Sequence, residues 1–278
     1  MFEIGKVNKL NVSRENKSGF YLKHEDSIQE IFMPPAMAPL DLKVGDDVDA
    51  FVYLDTKGSL IATDQRPYAQ VGEYALMRVV DNQEFGAFFD WGIEKDLLVP
   101  GNEQKTKVRN FEDHLVRVCL EEETDRVYGT TKLGKYIENS NFDFEANDRV
   151  NVVPVQETDL GFRVVINKKF VGMIYHNEIF NEIRINSSYE GVVKKLRPDG
   201  LVDISLQTLG IKNLIEAKDK ILSVLKENDG KSEIYDKSSP EEIKKAFSMS
   251  KKTFKSAVGM LYKERKISIS NDGITLND

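Results

Sequence analysis

A chain of 278 residues with 40% hydrophobic and 31% charged residues has the composition of a soluble globular protein, and no apolar run in it approaches the roughly 20 residues that a bilayer span requires. A net charge of −7 and a pI near 5.3 exclude a uniformly basic protein that coats a polyanion, so any phosphate contact must come from local patches. Length suggests about two domains; the internal pattern argues for more.

The N-terminus enters a strand pattern directly, over residues 4–12, with neither an apolar leader nor a cleavage site. The single cysteine, Cys119, sits in the apolar alternation 115–120 and excludes an intramolecular disulfide, so the expected home is the reducing cytoplasm. After the first strand come GFYL at 19–22 and EIFMP at 30–34, then a closing hairpin of 44–53 with 60–63 around Lys57 and Gly58. Pro34, Pro35 and Pro39 keep the connection between the two halves out of the sheet.

The same order returns more clearly further on. A run at 76–80 leads to FGAFFDW at 85–91 and DLLVP at 96–100, and the closing hairpin pairs 114–120 with 126–130. KTKVR, at 105–109, lies in the long connection, and 137–146, with little periodicity, reads as a linker. A third copy has strands at 149–156, 162–167 and 170–175, and a closing hairpin over 191–206 turned by Pro198, Asp199 and Gly200. The marker glycines are Gly19, Gly86 and Gly161, spaced 67 (86 − 19) and 75 (161 − 86) residues apart. One five-stranded barrel of OB-fold size fits each interval. The expected barrels cover 1–66, 67–136 and 147–208.

Beyond residue 207 the period changes from 2 to 3.6. Ile211, Leu214, Ile215, Ile221, Leu222 and Leu225 form one helical stripe that ends at NDG, 228–230. Ser239, Pro240, Glu241 and Glu242 announce a second helix, with Ser at the N-cap, Pro at the first position and carboxylates in the first turn. A third begins near Ser250 and carries Phe254, Ala257, Val258 and Leu261 on one face; a hairpin over 267–276, turned at Asn271, Asp272 and Gly273, follows. Three helices and a hairpin describe a winged helix over 209–278. The fold class is thus mainly β, three tandem barrels followed by an α+β winged-helix domain.

On small barrels of this type the outer sheet face can present aromatics on which bases stack. In the second copy the candidates are Phe85 and Phe88. Of Ala87, Phe88 and Phe89 at least one must face outward, and Phe88 shares the parity of Gly86, whose missing side chain would leave room for a base. The alternative places both phenylalanines in the core. The matching positions are Tyr21 in the first copy and Arg163 in the third, where Tyr175, Lys194, Lys195 and Arg197 lie on neighbouring strands. On the third helix Lys252, Lys255 and Lys263 fall opposite the apolar face, the side that enters a DNA groove in many winged helices; an ordinary solvated face is the alternative. Gly259 lies on that outer side, and close approach by another backbone would account for it. His24, His114 and His176 show no ligand spacing to one another or to Cys119, and no phosphate-cradling loop or metal motif is present. Neither an enzymatic activity nor a cofactor is expected.

Residues 86–100 and 191–206 resemble the S1-type RNA-binding domain, and with SKKTFKSAVGMLYK at 250–263 the arrangement resembles the bacterial CvfB/YitL family of three such modules with a C-terminal winged helix. The resemblance spans essentially the whole chain. It implies a cytoplasmic protein that binds single-stranded RNA, linked to regulation of gene expression and virulence. It carries the module's usual aromatic sites onto Phe85 and Phe88, and its usual histidine onto Val99 and Tyr175, so the second copy departs at the histidine and the third at the aromatic. The implied partner is single-stranded RNA, with DNA or a protein as further partners for the winged helix and no membrane. A protein-interaction scaffold or an accessory subunit of an RNA-processing complex is the rival reading.

Overall fold

In the computed structural model, which describes residues 1–25, 27–179, 182–206, 211–270 and 272–277, the alternation at the N-terminus becomes strand β1 (Lys6–Asn16), with Asn8, Leu10 and Val12 turned inward. β1 pairs along one edge with β2 (Gly19–Lys23) and along the other with β4 (Asp47–Leu54); β3 (Ile31–Met33) and β5 (Leu60–Thr63) close the barrel in the order β1-β2-β3-β5-β4. A strand that serves both halves must bend, and β1 does so at a bulge between Val12 and Arg14. Leu10, Val12, Leu22, Ile31, Met33, Val52 and Ala62 fill this barrel.

The second copy contains β6 (Tyr74–Gln83), β7 (Gly86–Phe89), β8 (Leu97–Pro100), β9 (Asp113–Glu121) and β10 (Arg126–Thr130), in the order β10-β9-β6-β7-β8. That is the order of the first barrel, with the ladder between the third and fifth strands missing. The gap is filled by side-chain packing instead: a Cβ added to Gly129 on β10 would meet Val99 at 2.8 Å and Leu97 at 3.0 Å, both on β8. A short helix, α1 (Gly134–Glu138), follows, Phe144 is buried, and the division between the two compact units of the chain falls between residues 140 and 141, within the expected linker 137–146. The third copy is again a closed barrel, of β11 (Arg149–Thr158), β12 (Gly161–Ile166), β13 (Phe170–Tyr175), β14 (Tyr189–Leu196) and β15 (Val202–Ser205), in the order β11-β12-β13-β15-β14. The first-strand bulge recurs in both, between Val79 and Asp81 and between Pro154 and Gln156.

The expected boundary at 207–209 lies outside the described residues. Beyond it, α2 (Ile211–Glu227), the short strand β16 (Lys231–Ser232), α3 (Pro240–Phe247), α4 (Lys251–Lys263), β17 (Ile267–Ser270) and β18 (Gly273–Leu276) make a winged helix. Its sheet order is β16-β18-β17. Ser239 caps α3 in a capping box with Glu242, and Ser250 caps α4 by accepting from the Thr253 amide. Ile221, Leu225, Ile243, Phe247, Phe254 and Leu261 form its core. At the expected wing turn, Asn271 lies outside the described residues.

The chain divides into two units, 1–140 with 168–170, and 141–167 with 171–278. Within the first, two barrels share a core. Trp91, just past β7, is 1% exposed, donates Nε1–H to the Ala69 carbonyl at 2.8 Å, and meets Phe51 of β4 edge-on at 5.3 Å. Tyr53 and Ile61 of the first barrel join the same cluster as Met77, Phe89 and Val116 of the second. Among the described residues no helix is long and apolar enough to cross a membrane.

Candidate nucleic-acid interface

The register of the three barrels places the sequence candidates at one equivalent position. Directly after each bulge, Arg14 pairs with Tyr21, Asp81 with Phe88, and Gln156 with Arg163. A bulge re-aims the side chains beside it, and all three candidates are partly exposed, Phe88 and Arg163 between two buried neighbours and Tyr21 beside the buried Leu22. Phe88 lies between the buried Ala87 and Phe89, while Phe85 at the hairpin tip is 63% exposed and meets Phe88 edge-on at 6.0 Å.

The marker glycines have a different role from the one expected. A Cβ on Gly86 would meet the Val99 carbonyl at 2.7 Å and Pro100 Cα at 2.9 Å; on Gly19 it would meet the Met33 carbonyl at 2.6 Å, and on Gly161 the Ile174 carbonyl. In each barrel the backbone at the end of the third strand fills the space, so Gly86 leaves no room for a base. Its hydrogen is what lets β8 approach β7.

Beside Phe88 lies a cleft of about 550 Å³ lined by Tyr53, Trp91, Lys95, Arg126 and Tyr128, with Asp55, Asp96 and Glu103 among its carboxylates. Lys95 donates to the Leu54 carbonyl, and burial pulls its ammonium down from the usual lysine range. Burial, with help from Asp90, pushes the Asp96 carboxyl up. The cleft therefore carries aromatic faces and cations in a mixed field.

The other two faces are more occupied. In the first barrel the Arg14 guanidinium lies 3.5 Å from the Tyr21 ring centre and is held by Glu30 at 2.7 Å, so one face of Tyr21 is covered. Phe32, opposite Tyr21 on β3, adds a second ring at 5.4 Å; sequence reading missed it, although the alternation of IFM in the third strand was visible. In the third barrel Tyr175 donates to Asp203 at 3.2 Å, and Arg197 is held by Asp199 at 2.5 Å with Asp203 at 3.9 Å. Arg163 contacts Gln156 at 3.4 Å. A bulge between Val193 and Lys195 leaves both Lys194 and Lys195 exposed, and neither has an ion pair among the described residues.

On α4, Lys252, Lys255 and Lys263 are exposed opposite the buried Phe254, Val258 and Leu261, and Tyr262 stands 56% exposed beside them. Gly259 has no atom within 4 Å of an added Cβ, which corrects the expectation of a close backbone neighbour. Among the described residues no cluster of His, Cys, Asp and Glu could hold a metal ion.

Comparison with known proteins agrees with this architecture. The S1 domain family model matches residues 4–65, the first barrel. A CvfB-like winged helix domain matches 219–276. Conserved virulence factor B of Staphylococcus aureus is 29% identical over 244 residues, 85% of this chain and 81% of that protein; its Staphylococcus epidermidis counterpart is 28% identical, over 85% and 82%. A solved multidomain protein with nucleic acid binding domains from Streptococcus pneumoniae is 22% identical, with a TM-score of 0.42 over 99% of this chain and 98% of its own. With an S1 domain matched at its N-terminus and this winged helix at its C-terminus, the chain is similar to the CvfB-like proteins at both ends.

Proposed function

We propose that the protein binds single-stranded RNA across its S1-type barrels, with the winged helix as an additional contact, and acts without catalysis as a cytoplasmic regulator of gene expression. The observation that carries this reading is the exposed aromatic pair Phe85 and Phe88 on the second barrel, beside a cleft holding Lys95 and Arg126. An aromatic pair of this kind offers π-faces to splayed bases and cannot read the deep groove of an A-form duplex. The name of the staphylococcal relatives supports a link to virulence. Because Arg14 and Arg197 are already paired, the first and third barrels contribute modestly, and affinity is summed over linked modules.

The test is a titration of the full chain with labelled single-stranded and duplex RNA at two salt concentrations. Single strands should bind more tightly, with a log–log salt slope of roughly −0.7 per phosphate neutralised. Phe88→Ala should weaken binding with little loss of thermal stability; a fall of about 3–5 kcal/mol would mark a core residue instead. Equal affinity for duplex and single strand would reject the reading. A second reading, a protein-docking winged helix, is favoured by the exposed Tyr262 on α4 and predicts RNA affinity that survives changes there.

A further inference from the structure

One backbone device recurs through the barrels. At Gly5, Gly45, Gly72, Phe111, Asn147 and Asn186 the chain takes a positive φ just before or near a strand. At each, the amide donates to a carbonyl of a neighbouring strand (Val52, Val12, Val118, Val79, Val193 and Pro154) at 2.7–2.9 Å. In four of these turns the next residue's carboxylate also accepts from the amide three residues before it: Asp46 from Lys43, Glu73 from Gln70, Glu112 from Arg109 and Asp148 from Glu145.

The left-handed region suits glycine, tolerates asparagine and disfavours bulky side chains. Five of the six positions obey this. The sixth is Phe111, at φ 69 and 76% exposed. Strain is not offset there by burial, so in the free protein this ring is unfavourable on both counts. Such an outlier points to a use in a bound state.

Its surroundings name the ligand. Residues 104–111 contain Lys105, Lys107 and Arg109 and no carboxylate, within a chain of net charge −7. All three cations are exposed, and Lys105 and Lys107 have no ion pair among the described residues. The segment is fastened rather than loose: Val108 is buried, its carbonyl accepts from Asn82 Nδ2 at 2.8 Å, and the Lys105 amide donates to Thr131 Oγ1 at 2.7 Å. β6 thus anchors both aromatics, Phe88 through its pairing with Asp81 and Phe111 through the Val79 carbonyl.

We propose that Phe111 is a second base-stacking residue of the middle barrel, and that Lys105, Lys107 and Arg109 contact phosphates of the same RNA strand. The inference rests on the reading of the protein as a binder of single-stranded RNA. The full chain is titrated with a fluorescein-labelled oligouridine of about 15 nucleotides, a length matched to the site sizes of such barrels. Phe111→Asn fits the turn, so its melting temperature should stay or rise while affinity falls about fivefold or more. Phe111→Tyr should keep affinity. Changing Lys105, Lys107 and Arg109 to alanine should reduce the salt slope by about 2.

Phe88→Ala serves as the control for the underlying reading. Loss of affinity with Phe88→Ala but none with Phe111→Asn overturns this inference alone and assigns the ring to another class of partner. A fall in melting temperature for Phe111→Asn also overturns it, because the ring would then be structural. Loss with Phe111→Asn in either Phe88 background supports it. Wild-type protein that fails to bind the oligouridine removes both the inference and the reading beneath it.

Discussion

The shared core of the first two barrels makes a prediction that either barrel alone would not. Leu22, on β2, is fully buried among Ile31, Met33, Val52 and Ala62 and takes no part in the cluster around Trp91. Leu22→Ala removes three buried carbons and leaves a cavity, a change that costs about 2–5 kcal/mol. For a unit of about 140 residues a urea slope near 2 kcal/mol/M is reasonable, so a loss of about 3 kcal/mol lowers the midpoint by about 1.5 M. The assay is built in: Trp91 is the chain's one tryptophan and sits in the second barrel. If the barrels unfold together, the Trp91 fluorescence midpoint should fall by that amount although the mutation lies in the first barrel. A Trp91 midpoint that stays put while far-UV circular dichroism shows earlier unfolding would refute the shared core as a cooperative unit.

Three further outcomes follow from local features. Gly259→Ala on α4 meets open space and should raise the stability of the winged helix by about 1 kcal/mol in thermal or urea unfolding. Changing Lys252, Lys255 and Lys263 together to glutamate should weaken nucleic-acid binding and flatten its salt dependence; unchanged affinity would assign this face to a protein partner. Burial pushes the Cys119 thiol up from the usual range, against the smaller opposing effect of its Tyr136 contact at 3.3 Å. Since the unfolded thiol ionises first, near pH 8.5, this contribution to stability is complete below that pH and is lost as pH rises toward the folded value. Native protein should therefore resist alkylation at pH 8 and react on addition of urea.

Much of this architecture was legible because it is local. Alternation gave the strands of all three barrels, Ser239 and Ser250 announced the starts of α3 and α4, and Gly200 turned its hairpin with φ 79. What escaped depends on contacts distant in sequence. Trp91 reads as the end of an apolar run, and nothing near it reveals that Phe51 and Ala69 cover it. The missing ladder between β8 and β10 depends on side-chain packing around Gly129, which leaves no periodic trace. Gly86 was visible as a marker, but whether a glycine admits a ligand or a backbone is decided by the neighbouring strand. At the site, the partly exposed state of Phe88 followed from parity, whereas the pairing of Arg197 with Asp199 and Asp203 did not, since a carboxylate two residues away on a turn looks like ordinary solvated charge.

The bulge in each barrel's first strand also has a consequence for insertions and deletions. Ser13, Val80 and Val155 are the residues without a cross-strand partner, so each divides its strand into two reading frames of side-chain parity. Length changes in the loops leave those frames intact. Removal of one residue at 13, 80 or 155 would make the flanking pairs, Val12 with Leu22 and Arg14 with Tyr21 in the first barrel, successive rungs of a regular ladder and so straighten the first strand where it bends. The bend that lets one strand serve both halves of each barrel is thus held by a single extra residue, and a deletion there would strain barrel closure while leaving the faces of the second strand as they are.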